Sequence, residues 1–451
     1  MSLPPLASGP HGPHALRPLL ATVLDALEEG TRRRGGPLPA GGPRTVAAQV
    51  RDTLGDVLPE HGDPDALHTV VRTLAEGAAD PAHPLCAAHL HCPPLATATA
   101  ADLAASALNP SLDSWDQAPA ASALETLVTR ALARETGAAD ALVTTGGTEA
   151  NQLALLLARE TSGPVRLVCG AHTHHSLTRA AWLLGLPPPL VLPTPRGTLD
   201  PAALHTTLTG LTEPVLVAAT AGTTDAGLID PLSRIADLCA GHRARLHIDA
   251  AYGGPLLFSD HHRAKLEGLE RAHTITLDLH KLGWQPVAAG LLTVRDPHDL
   301  GALRHQADYL NADDDTEAGL PDLLGRSLRT SRRPDILKIA VTLKTLGRTG
   351  LGALIDQVCT HAHTLADLIT AHPTLELHAP PTISTVLFRP TTASDDTVAG
   401  IRRTLLHNGH AVLGRARLDG RLWLKATLLN PHTRPRDLTT LLNLVEGSTP
   451  P

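Results

Sequence analysis

From about residue 120 to residue 294 the chain alternates between two kinds of segment, and this alternation narrows the available folds more than any other feature. Helix-like stretches (ASALETLVTRALARE, EANQLALLLARE, HHSLTRAAWLLGL, LSRIADLCAGH) are separated by short apolar runs (VRLVC, PLVLP, PVLVAATA, RLHIDAA, TITLDLH, GLLTV). Short strands alternating with helices of about 10 to 15 residues are the signature of βαβ units in a mainly parallel sheet covered on both faces. An α/β architecture is expected.

The flanks read differently. Residues 1 to about 45 carry Pro/Gly clusters around one amphipathic stretch, LRPLLATVLDALEE, and read as an N-terminal arm. Near residue 335 a long helical region begins, DILKIAVTLKTLGRTGLGALIDQVCTHAHTLADLITAH, and gives way to short strands and helices (TLELHA, STVLFRP, AVLGRARL, RLWLKATLL, RDLTTLLNLVE). That change of pattern predicts a smaller α+β C-terminal domain. The expected organisation is an N-terminal arm over 1–80, a large domain over 81–338 and a small domain over 339–451, with no internal repeat.

Composition bounds the ligand. With two Phe, two Tyr and one Met, the core must be built mostly from Leu, Ala, Val and Ile, and little aromatic surface is available to stack on bases. A formal charge of −7 argues against a nucleic-acid or anionic-membrane binder, which leaves a small molecule. The N-terminal sequence has no basic region followed by an apolar core, and no long apolar run occurs, so a soluble, cytoplasmic protein is expected. The five cysteines (Cys86, Cys92, Cys169, Cys239, Cys359) are odd in number and lack CxxC spacing, so free thiols are expected.

Ligands of parallel α/β sheets bind beyond the carboxyl ends of the strands, and four polar motifs stand at such ends. TTGGTEAN (144–151) joins a small-residue turn to a helix start, where backbone N–H groups and the helix dipole can cradle a phosphate. CGAHTHHS (169–176) offers three histidines, as stacking partners or as acid and base. HIDAAYGG (247–254) puts Asp249 at the end of an apolar strand, and TITLDLHKLGW puts Lys281 at the end of the next. The chain has only five lysines, and one placed there is costly unless paired, exposed or chemically used.

Each motif also has a bland reading. A lone strand-end Asp is more often a cap, a lone Lys a solvated end, and Arg332 with Arg333 a solvated face. His172, His174 and His175 could suggest a metal site, but no carboxylate lies nearby at ligand spacing, so no metal is expected. Jointly and in order, the motifs supply what pyridoxal 5′-phosphate needs. Lysine holds the aldehyde, a carboxylate keeps the pyridine nitrogen protonated, and a helix N-terminus takes the phosphate.

The residues also carry a family resemblance. From His83 to about Leu444 the chain resembles the group II pyridoxal-phosphate-dependent amino acid decarboxylases. The motifs are HP (83–84), NPSLDSWDQAPAASALE (109–125), TTGGTEAN, AGTTDAGLID (221–230), HIDAAYGG, DLHKLGWQP, SLRTSRRPDILK (327–338) and LKATLLNP (424–431). The resemblance implies a fold type I, aspartate aminotransferase-like large domain with a mainly parallel sheet, a smaller α+β C-terminal domain and an N-terminal arm. It makes Lys281 the Schiff-base lysine, Asp249 the partner of the ring nitrogen, His174 the stacking group on one ring face and Ala251 the apolar contact on the other. Gly147, Thr148 and His280 fall at phosphate-contacting positions and Thr224 near the ring. Lys425 stands where related enzymes carry an arginine proposed to meet a substrate carboxylate.

Within the family, SLDSWDQ, ADYLN and LKATLLNP resemble the branch acting on basic amino acids such as 2,4-diaminobutyrate, lysine or ornithine. In AHLHCPP, His89 and His91 replace the aromatic surface of a catecholamine-type pocket. One departure stands out. The aromatic and many glutamate decarboxylases of this family carry a loop tyrosine thought to protonate the carbanion, whereas here that position falls at about Leu323, and Tyr309 lies about 14 residues too early. Three functions follow as expectations: decarboxylation to an amine, decarboxylation coupled to oxidative deamination giving an aldehyde, and a catalytically silent binding or scaffold homologue. Intact Asp249 and Lys281 count against the third. A homodimer is also expected, with the apolar stripe of the arm and the acidic loop near Asn311 to Leu324, hinged at Gly319, meeting the neighbouring subunit.

Overall fold

The computed structural model describes residues 4–449; the first three residues of the expected N-terminal arm and the last two of the small domain lie outside them. The chain divides into two compact units, residues 94–359, and residues 1–93 together with 360–451.

In the first unit the apolar runs form a seven-stranded sheet: β1 (Asp140–Thr144), β2 (Arg166–Gly170), β3 (Leu190–Leu192), β4 (Val215–Thr220), β5 (Arg245–Asp249), β6 (Thr274–Asp278) and β7 (Gly290–Val294). The spatial order is β1-β7-β6-β5-β4-β2-β3. Only β7 runs antiparallel to its neighbours β1 and β6, and the other pairs are parallel. β4, β6 and β7 are buried along their whole length, as expected of strands covered on both faces. One apolar cluster packs Leu153, Ala154 and Leu157 of the helix Gly147–Ser162 with Leu142, Leu292 and Val294 of the sheet. Another packs Leu177, Ala180 and Ala181 with Leu167, Leu216 and Ala218. The mainly parallel α/β sheet is therefore present. The long helical region beginning at Ile336 is not one straight helix, because Gly347 takes a left-handed φ of 61° and breaks it.

The second unit holds a five-stranded sheet in the order Cys86–Ala87, Val412–Leu418, Arg421–Thr427, Thr385–Pro390, Leu375–Leu377. Its pairs are antiparallel except at Cys86–Ala87. Helices Asp395–His407 and Pro435–Gly447 bury Val398, Ile401, Leu405, Leu438, Leu442 and Val445 in a core with Val386, Phe388 and Leu424. The amphipathic N-terminal stretch forms the helix Gly12–Arg34, and the face it buries is the small-residue one. A Cβ on Gly30 would sit 2.5 Å from the Arg72 carbonyl oxygen of the helix Ala66–Gly77, so the two backbones approach closely there, while Leu24 stays 65 % exposed.

Candidate active site

The parallel register of β4, β5 and β6 sets Thr220 opposite Asp249 and Asp249 opposite Thr276, so the carboxyl ends of three strands share one edge. Lys281 follows β6 on the short helix Leu279–Leu282, and its Nζ lies 2.8 Å from Oδ2 of Asp278, a residue 2 % exposed. This pairing explains how a lysine is accommodated there: a carboxylate three residues back compensates its charge. His280 accepts a hydrogen bond from the Ala289 N–H at Nδ1 (3.3 Å) and turns Nε2 toward Asp278 (3.6 Å). Burial, the largest influence, holds its ring below the usual histidine range despite the Asp278 charge.

The turn before the helix Gly147–Ser162 reaches the same edge. A Cβ on Gly146 would lie 3.1 Å from His280 Cε1, and one on Gly147 would lie 3.1 Å from both Ala251 Cβ and Asp278 Oδ2. Two adjacent glycines therefore let backbone approach the site where side chains would crowd it. Thr148 follows in the first turn of this helix, exposed, where N–H groups lack helical partners. Asp249 Oδ1 accepts from the Ala251 N–H (3.1 Å), and Oδ2 accepts from Asn151 Nδ2 (2.8 Å). His174 caps the helix His175–Leu183, its Nδ1 2.8 Å from Ser176 Oγ. Burial first, then the neighbouring His175 and Lys281, keep it below the ordinary histidine range against the pull of Asp249.

Lys281, Asp249, Ala251, Gly147, Thr148, His174 and His280 thus all belong to the unit formed by residues 94–359, as does Thr224, exposed in the loop after β4. His89, His91 and Lys425 belong to the other unit. There Lys425 is buried on the strand Arg421–Thr427. His89 sits at a left-handed φ of 61°, its ring held below its normal value by desolvation first and then by the charges of Lys425 and Arg402. The sequence reading found no carboxylate near the histidine triplet; the fold supplies one, since His172 Nε2 lies 3.1 Å from Asp230 Oδ2. That carboxylate already accepts from the N–H groups of Leu199 and Thr220, and among the described residues no group of three or more ligand-type side chains could hold a metal.

Sequence reasoning missed Asn151, Ser176, His247 and Asp278. Asn151 is fully buried and bonds Asp249, Ser176, His247 and Thr276. The one available signal was an amide on the otherwise apolar face of EANQLALLLARE.

Residues 48–391 match the model of the pyridoxal-dependent decarboxylase conserved domain. The chain belongs to this decarboxylase family. It is 42 % identical over 412 residues to an L-2,4-diaminobutyrate decarboxylase of Rhizobium meliloti (strain 1021), covering 86 % of this chain and 83 % of that one. A protein of the same name from Acinetobacter baumannii is 33 % identical over 401 residues, covering 80 % and 79 %. Among solved structures, the glutamate decarboxylase domain of diaminobutyrate-pyruvate transaminase and L-2,4-diaminobutyrate decarboxylase from Vibrio parahaemolyticus superposes with a TM-score of 0.86 at 31 % identity, over 98 % of this chain and 97 % of that one. The protein is a pyridoxal-phosphate-dependent amino acid decarboxylase of the fold type I architecture. The residues on the sheet edge fit that cofactor: a glycine cradle at a helix N-terminus for a phosphate, a buried carboxylate, and a lysine.

The decarboxylase carries an acid-sensitive element beneath its site. His247 is fully buried on β5 and desolvation pushes its pKa down to about 4, outweighing the attraction of Asp249. The unfolded chain takes up that proton near pH 6.5, so between about 6.5 and 4 falling pH favours the unfolded state. Stability is full above this window and should decline by on the order of 3 kcal/mol across it from this residue alone. Urea unfolding at pH 7 and pH 4.5 should show a steeper loss for the wild type than for His247→Gln; equal losses would remove His247 as the cause.

Proposed function

We propose that this decarboxylase converts L-2,4-diaminobutyrate to 1,3-diaminopropane and carbon dioxide, using pyridoxal phosphate on Lys281. The observation that carries the substrate assignment is the 42 % identity, over 86 % of the chain, to a relative of that activity. Bound pyridoxal phosphate supplies an aldehyde that condenses with an amine and a protonated ring that accepts the electron pair left as carbon dioxide departs. The chain's own residues prepare that chemistry. Lys281 presents its amine at the strand edge, Asp249 would offer a negative charge to the ring nitrogen, and the N–H groups around Gly147 and Thr148, with His280 beside them, would hold the phosphate. His174 and Ala251 would hold the two faces of the ring, with Thr224 near it, as the family resemblance implies. His89, His91 and Lys425 are assigned to substrate contacts on the family resemblance.

A second reading, decarboxylation coupled to oxidative deamination, draws support from one observation. Leu323, at about the position where aromatic and many glutamate decarboxylases carry a tyrosine, is 8 % exposed and packs with Leu112 and Ala118, while Tyr309 is 81 % exposed. Incubation with 2,4-diaminobutyrate, ornithine and lysine, following carbon dioxide, amine, ammonia and oxygen, decides between them. Diaminopropane without ammonia, with the highest kcat/KM on diaminobutyrate, is the expected result. Ammonia with oxygen uptake would establish the second reading, and a preference for lysine or ornithine would overturn the substrate.

The assembly proposed is a two-fold homodimer in which the acidic loop near residues 311–324 covers the other subunit's cofactor. The support is the exposed apolar surface of Leu19, Leu24 and Leu27 and the left-handed Gly319, whose surroundings are open. Mixing Lys281→Ala chains with loop-deleted chains should restore activity in mixed dimers; an inactive mixture with confirmed subunit exchange would overturn the shared site. A cytoplasmic location is proposed on the five free cysteines, together with the absence, among the described residues, of a helix long and apolar enough to cross a membrane.

A further inference from the structure

The directions of the hydrogen bonds around Asn151 follow from chemistry. As a carboxylate, Asp249 only accepts, so Asn151 must turn Nδ2 toward it (2.8 Å), and the second Nδ2 hydrogen goes to Ser176 Oγ (2.9 Å). Asn151 Oδ1 then faces His247 Nε2 (2.9 Å) and Thr276 Oγ1 (2.8 Å), and both must donate to it. Ser176 Oγ, having accepted from Asn151, gives its own proton to His174 Nδ1 (2.8 Å), which the Ser176 N–H also approaches (3.4 Å). His174 therefore carries its proton on Nε2. Every donor and acceptor of a fully buried amide is used, and two of its limbs end on Asp249 and His174.

We propose that Asn151 is a positioning residue that couples Asp249 to His174, holding the first as an oriented carboxylate and the second as its Nε2–H tautomer. An aliphatic residue of similar size would fill the same volume but leave Asp249 Oδ2, Ser176 and His247 without their bonds. The inference rests on the reading of Asp249 as the partner of the ring nitrogen.

The test uses the holoenzyme and begins with borohydride reduction and peptide mapping of the wild type. Cofactor fixed on Lys281 is expected; a label elsewhere would overturn the reading itself. Asn151→Asp then sets two carboxylates face to face, so one must take a proton and the charge offered to the ring falls. Its cofactor affinity should drop on the order of tenfold or more, the size expected for one hydrogen bond to a charged group. Its visible absorption should become pH-dependent, and kcat should fall more than KM changes.

Combining Asn151→Asp with Asp249→Asn restores an amide–carboxylate pair in reverse. The melting temperature should recover toward that of the wild type while kcat stays low, because the charge has moved away from the ring. Ser176→Ala cuts only the limb to His174. Cofactor affinity should be retained, and the acid limb of the kcat/KM profile should move to higher pH, because a donor that favours neutral His174 is lost. With cofactor confirmed on Lys281, wild-type affinity and spectrum in Asn151→Asp, or full activity in the reversed pair, would overturn the inference alone. If Asn151→Asp does not fold, an unchanged pH profile in Ser176→Ala overturns the coupling to His174.

Discussion

Lys281→Ala is expected to bind pyridoxal phosphate without covalent attachment and to lose turnover to the detection limit. In the wild type the lysine amine stands 2.8 Å from Asp278 Oδ2 on the carboxyl edge of the sheet. Removing it takes away the amine proposed to hold the aldehyde as a reducible adduct. The rest of the site remains, because the glycine cradle and Asp249 belong to other elements. The yellow band that borohydride bleaches should be replaced by one that dialysis removes. The variant also leaves Asp278 as a buried carboxylate without its cation, which should lower stability by about 3 to 5 kcal/mol in the apoprotein. A variant with ordinary activity would sink the assignment, and a stable one without covalent cofactor would remove only the stability claim.

The second large effect is at Asp249. Asn in its place preserves size but removes the charge that would keep the ring nitrogen protonated, and with it about 3 kcal/mol of transition-state stabilisation, roughly a hundredfold in rate. The two neighbours of Asp249 are donors, the Ala251 N–H and Asn151 Nδ2. The amide introduced by Asp249→Asn can satisfy one of them with its oxygen but must turn its own hydrogens toward the other. Some loss of cofactor affinity should therefore accompany the loss of rate. Steady-state kinetics with saturating cofactor separates the two, and a variant within threefold of the wild-type kcat would reduce Asp249 to a structural cap.

What the chain states locally, it states clearly. The alternation of apolar runs with helical stretches specified a mainly parallel sheet because a strand buried on both faces must be apolar throughout, whatever its neighbours are. Asp249 and Lys281 were legible because each interrupts such a run at its end, where a charged side chain has no packing reason to be. The glycine pair at 146 and 147 was legible as a turn before a helix, although the contacts that demand it, with His280, Ala251 and Asp278, were not.

The tertiary structure alone decided the rest, and the reason is distance along the chain. Asn151 meets Asp249 across 98 residues and Thr276 across 125, so nothing in the local pattern of its helix marks it as the centre of a polar network. Asp278 is the last residue of its strand, and only the turn into Leu279–Leu282 folds Lys281 back onto it. The N-terminal residues form one compact unit with those after 359, and the helix Gly12–Arg34 comes closest to its neighbour at Gly30, while Leu19, Leu24 and Leu27 stay exposed. Neither was written in the hydrophobic pattern, because a pattern reports which side chains avoid water and not which partner lets two backbones come close. Burial is legible one residue at a time, whereas hydrogen-bond complementarity exists only once the fold has brought donor and acceptor together.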